Sequence, residues 1–166
     1  MAIGATGLYN AGFLSNKECI AGISEGPWEQ HGQHFVSIVT VETSRRRFNL
    51  IQKAYYNSTP EGVIAYNKRT VRLYKIMIEG GAHVPRTVQY DDGLLVQTFI
   101  PGADFDNAAK AFPPEVVEKA CRHVDEELAL YVSLGLGNYP DHFNNFRVTP
   151  SGNVFLVDID FPNAVV

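Results

Sequence analysis

The order of strand-like and helix-like segments is the feature that most restricts the fold of this chain. FVSIVTVE and RRFNLIQKAYY are rich in β-branched and aromatic residues and flank a short polar turn, which predicts an antiparallel hairpin. RTVQY and LLVQTF predict a second hairpin around residues 91–93, and FRVT and NVFLVD predict a third around residues 150–152. Because the strands come in adjacent pairs and do not alternate with helices, we expect an α+β fold rather than a doubly wound parallel sheet.

Two long helical patterns separate these hairpins. The first is expected to begin with Ser58 as its N-cap and Glu61 completing a capping box, and to end at the glycines 80–81. The second begins at the prolines 113–114 and ends near residues 135–137. Apolar residues recur along both segments at near-helical spacing, which indicates one buried face on each helix.

Composition and charge exclude several classes of protein. A chain of 166 residues is expected to form one domain, and its net charge of -4 argues against nucleic-acid binding. No apolar run reaches the ~20 residues of a membrane span, and two distant cysteines, Cys19 and Cys121, are interpreted as reduced thiols. Residues 1–34 are interpreted as a loose leader and possible flap, and the run SRRR at 44–47 as a solvated turn or a contact for an acidic partner.

Carboxylates and amides are concentrated around the last predicted hairpin. Asp141 and Asn145 precede it, and Asp158 follows the apolar run VFLV. Asp160 lies two residues further on, on the same face of an extended strand. A plain hairpin does not require these side chains, and oxygen donors of this kind suit Mg²⁺. They therefore predict either a metal and phosphate site or a solvated turn.

The element order and the stretch EGGAHVPRTVQYDDGLLVQTFIPGADF resemble the protein-kinase-like fold, in particular its aminoglycoside and choline kinase branch. The resemblance covers roughly residues 35–161. It implies a small lobe over 35–100 with an antiparallel sheet, and a strongly reduced helical large lobe over 101–166 that carries a catalytic hairpin. The segment VQTFIPG resembles the hinge of these enzymes, which implies that Gln97 and Phe99 contact the nucleotide.

The same resemblance assigns roles to the polar residues. Lys53, near the end of a strand, matches the family lysine that contacts the phosphates of ATP, where an ammonium on a stiff strand neutralises charge. Asn145 and Asp158 are thirteen residues apart, as are the family's Mg²⁺ ligands, and Asp160 could assist them. Asp141 is the expected catalytic base, although it precedes Asn145 by four residues where the family has five.

Departures from the family pattern leave three hypotheses open. No glycine-rich loop precedes Lys53, and the helix slot for its glutamate partner falls near Thr70, with Glu61 and Glu79 both poorly placed. The chain is then an ATP- and Mg²⁺-dependent phosphotransferase acting on a protein or small-molecule hydroxyl, an inactive kinase-like module that docks a protein, or an unrelated α+β fold. Its size resembles reduced kinase-like effectors of bacteria, which implies a cytoplasmic protein or one delivered into a host cytosol.

Overall fold

A computed structural model describes residues 3–15, 17–31, 34–55, 59–90, 93–137 and 143–158. The chain divides into two compact units: unit 1 comprises Met1–Val71 and Thr87–Phe99, and unit 2 comprises Arg72–Arg86 and Ile100–Val166. Helices and antiparallel sheets together confirm the predicted α+β class. Within the described ranges, no helix combines the length and the apolar composition needed to cross a bilayer.

Unit 1 is built on an antiparallel sheet that has six strands among the described residues, in the order β1-β3-β4-β6-β5 with β2 also paired to β3. Its elements are α1 (Ala5–Asn10), β1 (Ile20–Glu25), β2 (Glu29–His31), β3 (His34–Thr43), β4 (Arg47–Tyr55), β5 (Thr87–Tyr90), β6 (Leu94–Thr98) and the first half of α2 (Pro60–Glu79). Both hairpins predicted in this region are confirmed. Strand β4 is interior, because it pairs with β3 on one side and β6 on the other.

The first 34 residues contribute to the core of unit 1, so their interpretation as a loose leader is wrong for the part that the structure describes. Ile3 and Leu8 are fully buried against β3, β4 and β6. The buried side-chain amide of Gln52 fixes this segment, since its Oε1 accepts the Ile3 N–H at 3.0 Å. Apolar residues scattered among glycines gave little periodic signal, yet Phe13 and Leu14 are also buried in this core.

Arg46 joins the N-terminal segment to the turn between β3 and β4. Its Nε donates to Oε1 of Glu18 at 2.8 Å, its Nη2 donates to the Phe13 carbonyl at 2.8 Å, and its guanidinium lies 4.5 Å from the ring centre of Phe48. The arginine run lies at an exposed turn, as predicted, and Arg46, although 52% exposed in its side chain, also anchors the N-terminal segment. The Glu18 carboxylate that it contacts is buried.

Acid should weaken this ion pair in a defined pH range. The hydrogen bond from Arg46, followed by that from the Ser15 N–H, lowers the pKa of Glu18 from 4.5 to about 2. Because the folded-state pKa is depressed, the stabilisation is present above pH 4.5 and is lost as the pH falls towards 2. We expect the urea midpoint to fall over this range in the wild type and less steeply in Glu18→Gln. The exposed pair of Glu42 and Arg47 supplies the control, and Glu42→Gln should keep the wild-type pH profile.

Helix α2 confirms the first predicted helix but begins with a different cap. The Thr59 carbonyl accepts the Val63 N–H at 2.9 Å, and Thr59 Oγ1 accepts the Gly62 N–H at 3.2 Å, so Thr59 is the N-cap. Ser58, the predicted cap, lies outside the described residues. The helix ends at Glu79 and is followed by the two predicted glycines, of which Gly81 has a φ of 90°.

Unit 2 combines helices with a small antiparallel sheet that has three strands among the described residues, in the order β7-β8-β9. Its elements are the second half of α2, β7 (Ala103–Asp104), a 3₁₀ turn (Phe105–Asn107), α3 (Ala108–Ala111), α4 (Pro114–Ser133), a 3₁₀ turn (Phe143–Asn145), β8 (Phe146–Val148) and β9 (Val154–Leu156). The second predicted helix and the third predicted hairpin are confirmed. The buried core includes Tyr74, Met77, Val124, Tyr131, Phe146, Val148, Val154 and Leu156.

Candidate functional site

The hairpin of β8 and β9 brings the two central residues of the predicted metal site to the same end of one element. Phe146 pairs with Leu156, and one residue further the Asn145 carbonyl accepts the Val157 N–H at 2.9 Å. Asp158 directly follows Val157, and both Asn145 and Asp158 are half-buried. The predicted catalytic Asp141 and the additional ligand Asp160 lie outside the described residues.

The amino-acid pattern explains why this hairpin forms in this register. Four apolar side chains, at 146, 148, 154 and 156, are completely buried and fix which face of each strand points inward. The turn between them closes with Gly152 at a φ of 76° and with the Thr149 N–H donating to the Asn153 carbonyl at 2.9 Å. Lys119 of α4 holds the turn from outside by donating to the Ser151 carbonyl at 2.7 Å.

Strand β9 is also hydrogen-bonded along its other edge, away from β8. The Val154 N–H donates to Nδ1 of His123 at 2.9 Å, and the Leu156 N–H donates to the His83 carbonyl at 3.0 Å. The Tyr74 hydroxyl donates to the Val157 carbonyl at 3.0 Å. The backbone immediately before Asp158 is therefore held from both sides.

Three ionisable side chains beside β9 form a compact group that we call the histidine–glutamate cluster: His83, His123 and Glu127. His83 Nδ1 lies 2.7 Å from Glu127 Oε1, and His123 Nε2 lies 3.2 Å from His83 Nδ1 and 3.6 Å from Glu127 Oε1. Glu127 is only 4% exposed, and its two oxygens also accept the His83 backbone N–H at 3.1 and 3.2 Å. The Glu127 carboxylate thus contacts both the ring and the backbone N–H of His83.

Sequence reasoning did not identify this cluster. His83 is far from the other two in sequence, but His123 and Glu127 are one helical turn apart on α4. Glu127 also falls on the buried stripe of α4 between Val124 and Tyr131. A carboxylate at an apolar position of a helix is a signal that a partner lies opposite, because an unpaired buried charge is costly.

The cluster has the ligand types of a zinc site, but its hydrogen bonds argue against zinc binding. Ligand atoms in a tetrahedral zinc site lie about 3.3 Å apart, which is similar to the separations here. A histidine that binds metal through Nε2 carries its proton on Nδ1 and donates it to an acceptor. His123 Nδ1 instead accepts the Val154 N–H, so the proton of the neutral ring is on Nε2, where a metal would have to bind.

Burial shapes the electrostatics around Glu127. Desolvation, and then the nearby His83, lowers the pKa of His123 below its usual value of 6.5, although Glu127 opposes this shift. Burial also raises the pKa of the Tyr131 hydroxyl, and the negative charge of Glu127 raises it further. The Tyr131 hydroxyl is completely buried and has no hydrogen-bond partner among the described residues. Both groups are therefore held in their neutral forms.

Lys53, the predicted phosphate ligand, lies on the interior strand β4 of unit 1. It is paired with Val36 of β3 and Leu95 of β6, and its side chain is half-buried. Alternation along the strand puts Lys53 on the face opposite the core residues Leu50 and Gln52. This placement gives the lysine a backbone that hydrogen bonds fix on both sides.

Helix α2 contacts the Lys53 face of the sheet through an aromatic side chain. Tyr66 of the helix stacks on Tyr55 of β4, with ring centres 4.8 Å apart. The side chains buried on this part of α2 are Val63, Asn67 and Thr70, and the Asn67 amide nitrogen has no partner among the described residues.

The two glutamates of α2 are both exposed. Glu79 pairs with Lys75 at 3.8 Å, one turn away on the same helix. The slot near Thr70, where the family resemblance implies a glutamate, is therefore occupied by buried amide and hydroxyl groups.

The two predicted hinge residues are tied into the sheet of unit 1. The Gln97 side-chain amide donates to Thr87 Oγ1 at 3.0 Å in a buried position, and the Phe99 N–H donates to the Asn49 carbonyl at 3.2 Å. These bonds fix the end of β6. Contact of Gln97 and Phe99 with a nucleotide stays a prediction.

Comparison with known proteins adds no relatives: the chain matches no protein-family model and no curated protein sequence.

Proposed function

We propose that this protein is a kinase-like phosphotransferase that uses Mg²⁺-bound ATP. The observation that carries the proposal is the hydrogen bond from the Val157 N–H to the Asn145 carbonyl, which puts Asn145 and Asp158 at one end of a rigid hairpin. An amide oxygen and a carboxylate are donors that Mg²⁺ accepts alongside phosphate oxygens. The interior position of Lys53 on β4 supports a role for its ammonium group as a fixed positive charge that binds the phosphates.

The proposed reaction moves the γ-phosphoryl group of ATP to an acceptor hydroxyl. The bond from the γ-phosphorus to the bridging oxygen breaks, a bond to the hydroxyl oxygen forms, and ADP leaves. Asp141 would accept the hydroxyl proton, while Lys53 would bind phosphate oxygens and Asn145 and Asp158 would hold the metal. Mg²⁺ supplies charge neutralisation on the transferring phosphoryl group, and most of the catalysis is positioning and electrostatics.

A second candidate function is a kinase-like module that binds a nucleotide or a protein partner without transferring phosphate. It is favoured by the slot near Thr70 of α2, where the family resemblance implies a glutamate and this chain buries a threonine instead. Binding without transfer would support this candidate.

Label transfer from radiolabelled ATP, in the presence of Mg²⁺ and a cell lysate, tests the proposal. We expect Asp158→Ala to reduce transfer roughly 100-fold or more, because a metal ion contributes several kcal/mol of charge stabilisation. Lys53→Ala should weaken ATP binding about 10- to 100-fold, because a hydrogen bond between charged groups is worth about 1.5–3 kcal/mol. Calorimetric titration measures the affinity.

Matched controls come from exposed residues of the same types. Asp125→Ala on α4 and Lys68→Ala on α2 should leave transfer and binding unchanged. Thermal stabilisation by ATP without transfer would replace the first candidate by the second. A wild-type protein that neither transfers phosphate nor responds to ATP would overturn the first candidate and the nucleotide-binding form of the second.

A further inference from the structure

The hydrogen bond between β9 and His123 determines where the proton of that ring lies. His123 is 13% exposed in its side chain, and its Nδ1 is 2.9 Å from the Val154 nitrogen, which can only donate. A ring nitrogen that accepts a hydrogen bond must keep its lone pair, so the neutral ring carries its proton on Nε2. The tautomer of His123 is therefore fixed by the strand that it contacts.

The rest of the histidine–glutamate cluster suits this tautomer. Nδ1 of His83 donates to Oε1 of Glu127 at 2.7 Å, and Nε2 of His123 points at the same oxygen from 3.6 Å. The nitrogen His123 Nε2 lies 3.2 Å from His83 Nδ1, and its distance of 3.6 Å from the carboxylate oxygen is longer than a hydrogen bond. The short separations in the cluster therefore follow from the contact of His83 with Glu127 and that of His123 with Val154.

A second proton on His123 would disrupt this arrangement at the strand. The imidazolium ring carries hydrogen on both nitrogens, so Nδ1–H would face the Val154 N–H at a distance where only an acceptor is tolerated. The charged and titratable groups around the ring are His83, Glu127, Glu126 and Lys119. The two glutamates favour the added charge, whereas burial, His83 and Lys119 oppose it.

We propose that His123 fastens β9 to α4 only in its neutral, Nε2-protonated form, so that uptake of a second proton by this ring releases the strand that leads to Asp158. All of the contacts involved lie within unit 2, and none of them includes a residue assigned to nucleotide or metal binding. The cluster is then a proton-sensitive fastening of the hairpin rather than a metal site.

The sign of the pH effect follows from the direction of the shift. The folded-state pKa of His123 lies below its ordinary value of 6.5, so the unfolded or opened state takes up the proton first. The stabilisation is fully present above pH 6.5 and is lost as the pH falls from there to the folded-state pKa. One linked proton makes local opening more favourable by up to about tenfold per pH unit in that window.

Two measurements on the intact protein test this proposal. Nitrogen chemical shifts of the His123 ring, recorded by NMR between about pH 5 and 8, report its tautomer and its titration. Hydrogen exchange of the Val154 amide, corrected for its intrinsic pH dependence, reports opening of the strand. We expect the Nε2–H tautomer at neutral pH, and a Val154 protection factor that falls as the pH is lowered from 6.5 towards the folded-state pKa of His123.

Two substitutions separate the role of His123 as a hydrogen-bond acceptor from its uptake of a proton. In His123→Asn the side-chain oxygen reaches the place of Nδ1 but does not titrate. The Val154 amide should therefore stay protected at neutral pH, and its protection should no longer fall as the pH is lowered. In His123→Gln the amide extends to the place of Nε2, so protection should be low at every pH. His31→Asn, at an exposed histidine in unit 1, should leave Val154 unchanged.

Several results would overturn the proposal. An Nδ1–H tautomer at neutral pH, or Val154 protection that stays constant between pH 6.5 and the folded-state pKa of His123, would contradict it directly. Stoichiometric zinc that stabilises the protein and shifts the Nε2 resonance of His123 would show a metal site instead. If His123→Asn fails to fold, the wild-type tautomer and the wild-type exchange profile still decide.

Discussion

Replacing Gly102 with alanine is expected to destabilise the folded protein by about 3 kcal/mol or more. Gly102 has a φ of 139°, and an added Cβ would lie 1.9 Å from the Val148 carbonyl oxygen and 2.8 Å from its carbon. Both atoms belong to the backbone of β8, so no side chain can move aside. The Gly102 carbonyl also accepts a hydrogen bond from Arg147 at 2.8 Å, which ties this residue to the hairpin.

Urea unfolding measures this loss, read as a lower midpoint at unchanged slope. Gly81→Ala is the matched control, because Gly81 also has a positive φ, of 90°, but has open space around the added Cβ. It should cost only about 1–2 kcal/mol of backbone strain. Equal losses of stability in the two variants would show that backbone strain accounts for the whole cost. The chain at Gly102 would then not lie in close contact with β8.

Replacing Gln52 with leucine should cost about 2–3 kcal/mol, the second large effect. Gln52 is completely buried, its Oε1 accepts the Ile3 N–H, and its Nε2 donates to Glu25 Oε1 at 3.1 Å. Leucine fills a similar volume but leaves the Ile3 N–H buried without its acceptor. The cost comes from that donor, since an unsatisfied buried polar group loses its hydration without replacement.

Two measurements locate this effect. Urea unfolding gives the overall loss, and hydrogen exchange of the Ile3 amide should become faster by a larger factor than exchange in β4. Gln30→Leu, on the exposed strand β2, should change stability by less than about 0.5 kcal/mol. A neutral Gln52→Leu would mean that the N-terminal segment does not need this bond to dock on the sheet.

Local sequence patterns predicted most of the fold. The hairpins of β3 with β4, β5 with β6 and β8 with β9 follow from alternating apolar residues around polar turns, and α2 and α4 follow from their apolar stripes and proline starts. The N-terminal elements could not be predicted in the same way. Strand β1 is irregular, with a register shift between Ile20 and Gly22, so its pattern breaks where a strand signal should continue.

The sequence predicted only those parts of the candidate site that are determined by residues close together in the chain. Hairpin pairing follows from local pattern, so the common position of Asn145 and Asp158 at one hairpin end could be foreseen, while their roles as ligands stay predictions. The histidine–glutamate cluster depends on a contact between His83 and α4 that no local pattern encodes. Similarly, Arg46 stands in the sequence between two other arginines, and only the fold brings Glu18 to it.

The bonds on the outer edge of β9 have a consequence for aggregation. An edge strand normally offers a row of free N–H groups on which another chain can add a strand. In β9 the outward N–H groups of Val154 and Leu156 are already taken by His123 and by the His83 carbonyl. The His123 side chain and the His83 backbone therefore occupy the outer edge of β9 together, so this edge offers neither of these two N–H groups to a strand of another chain.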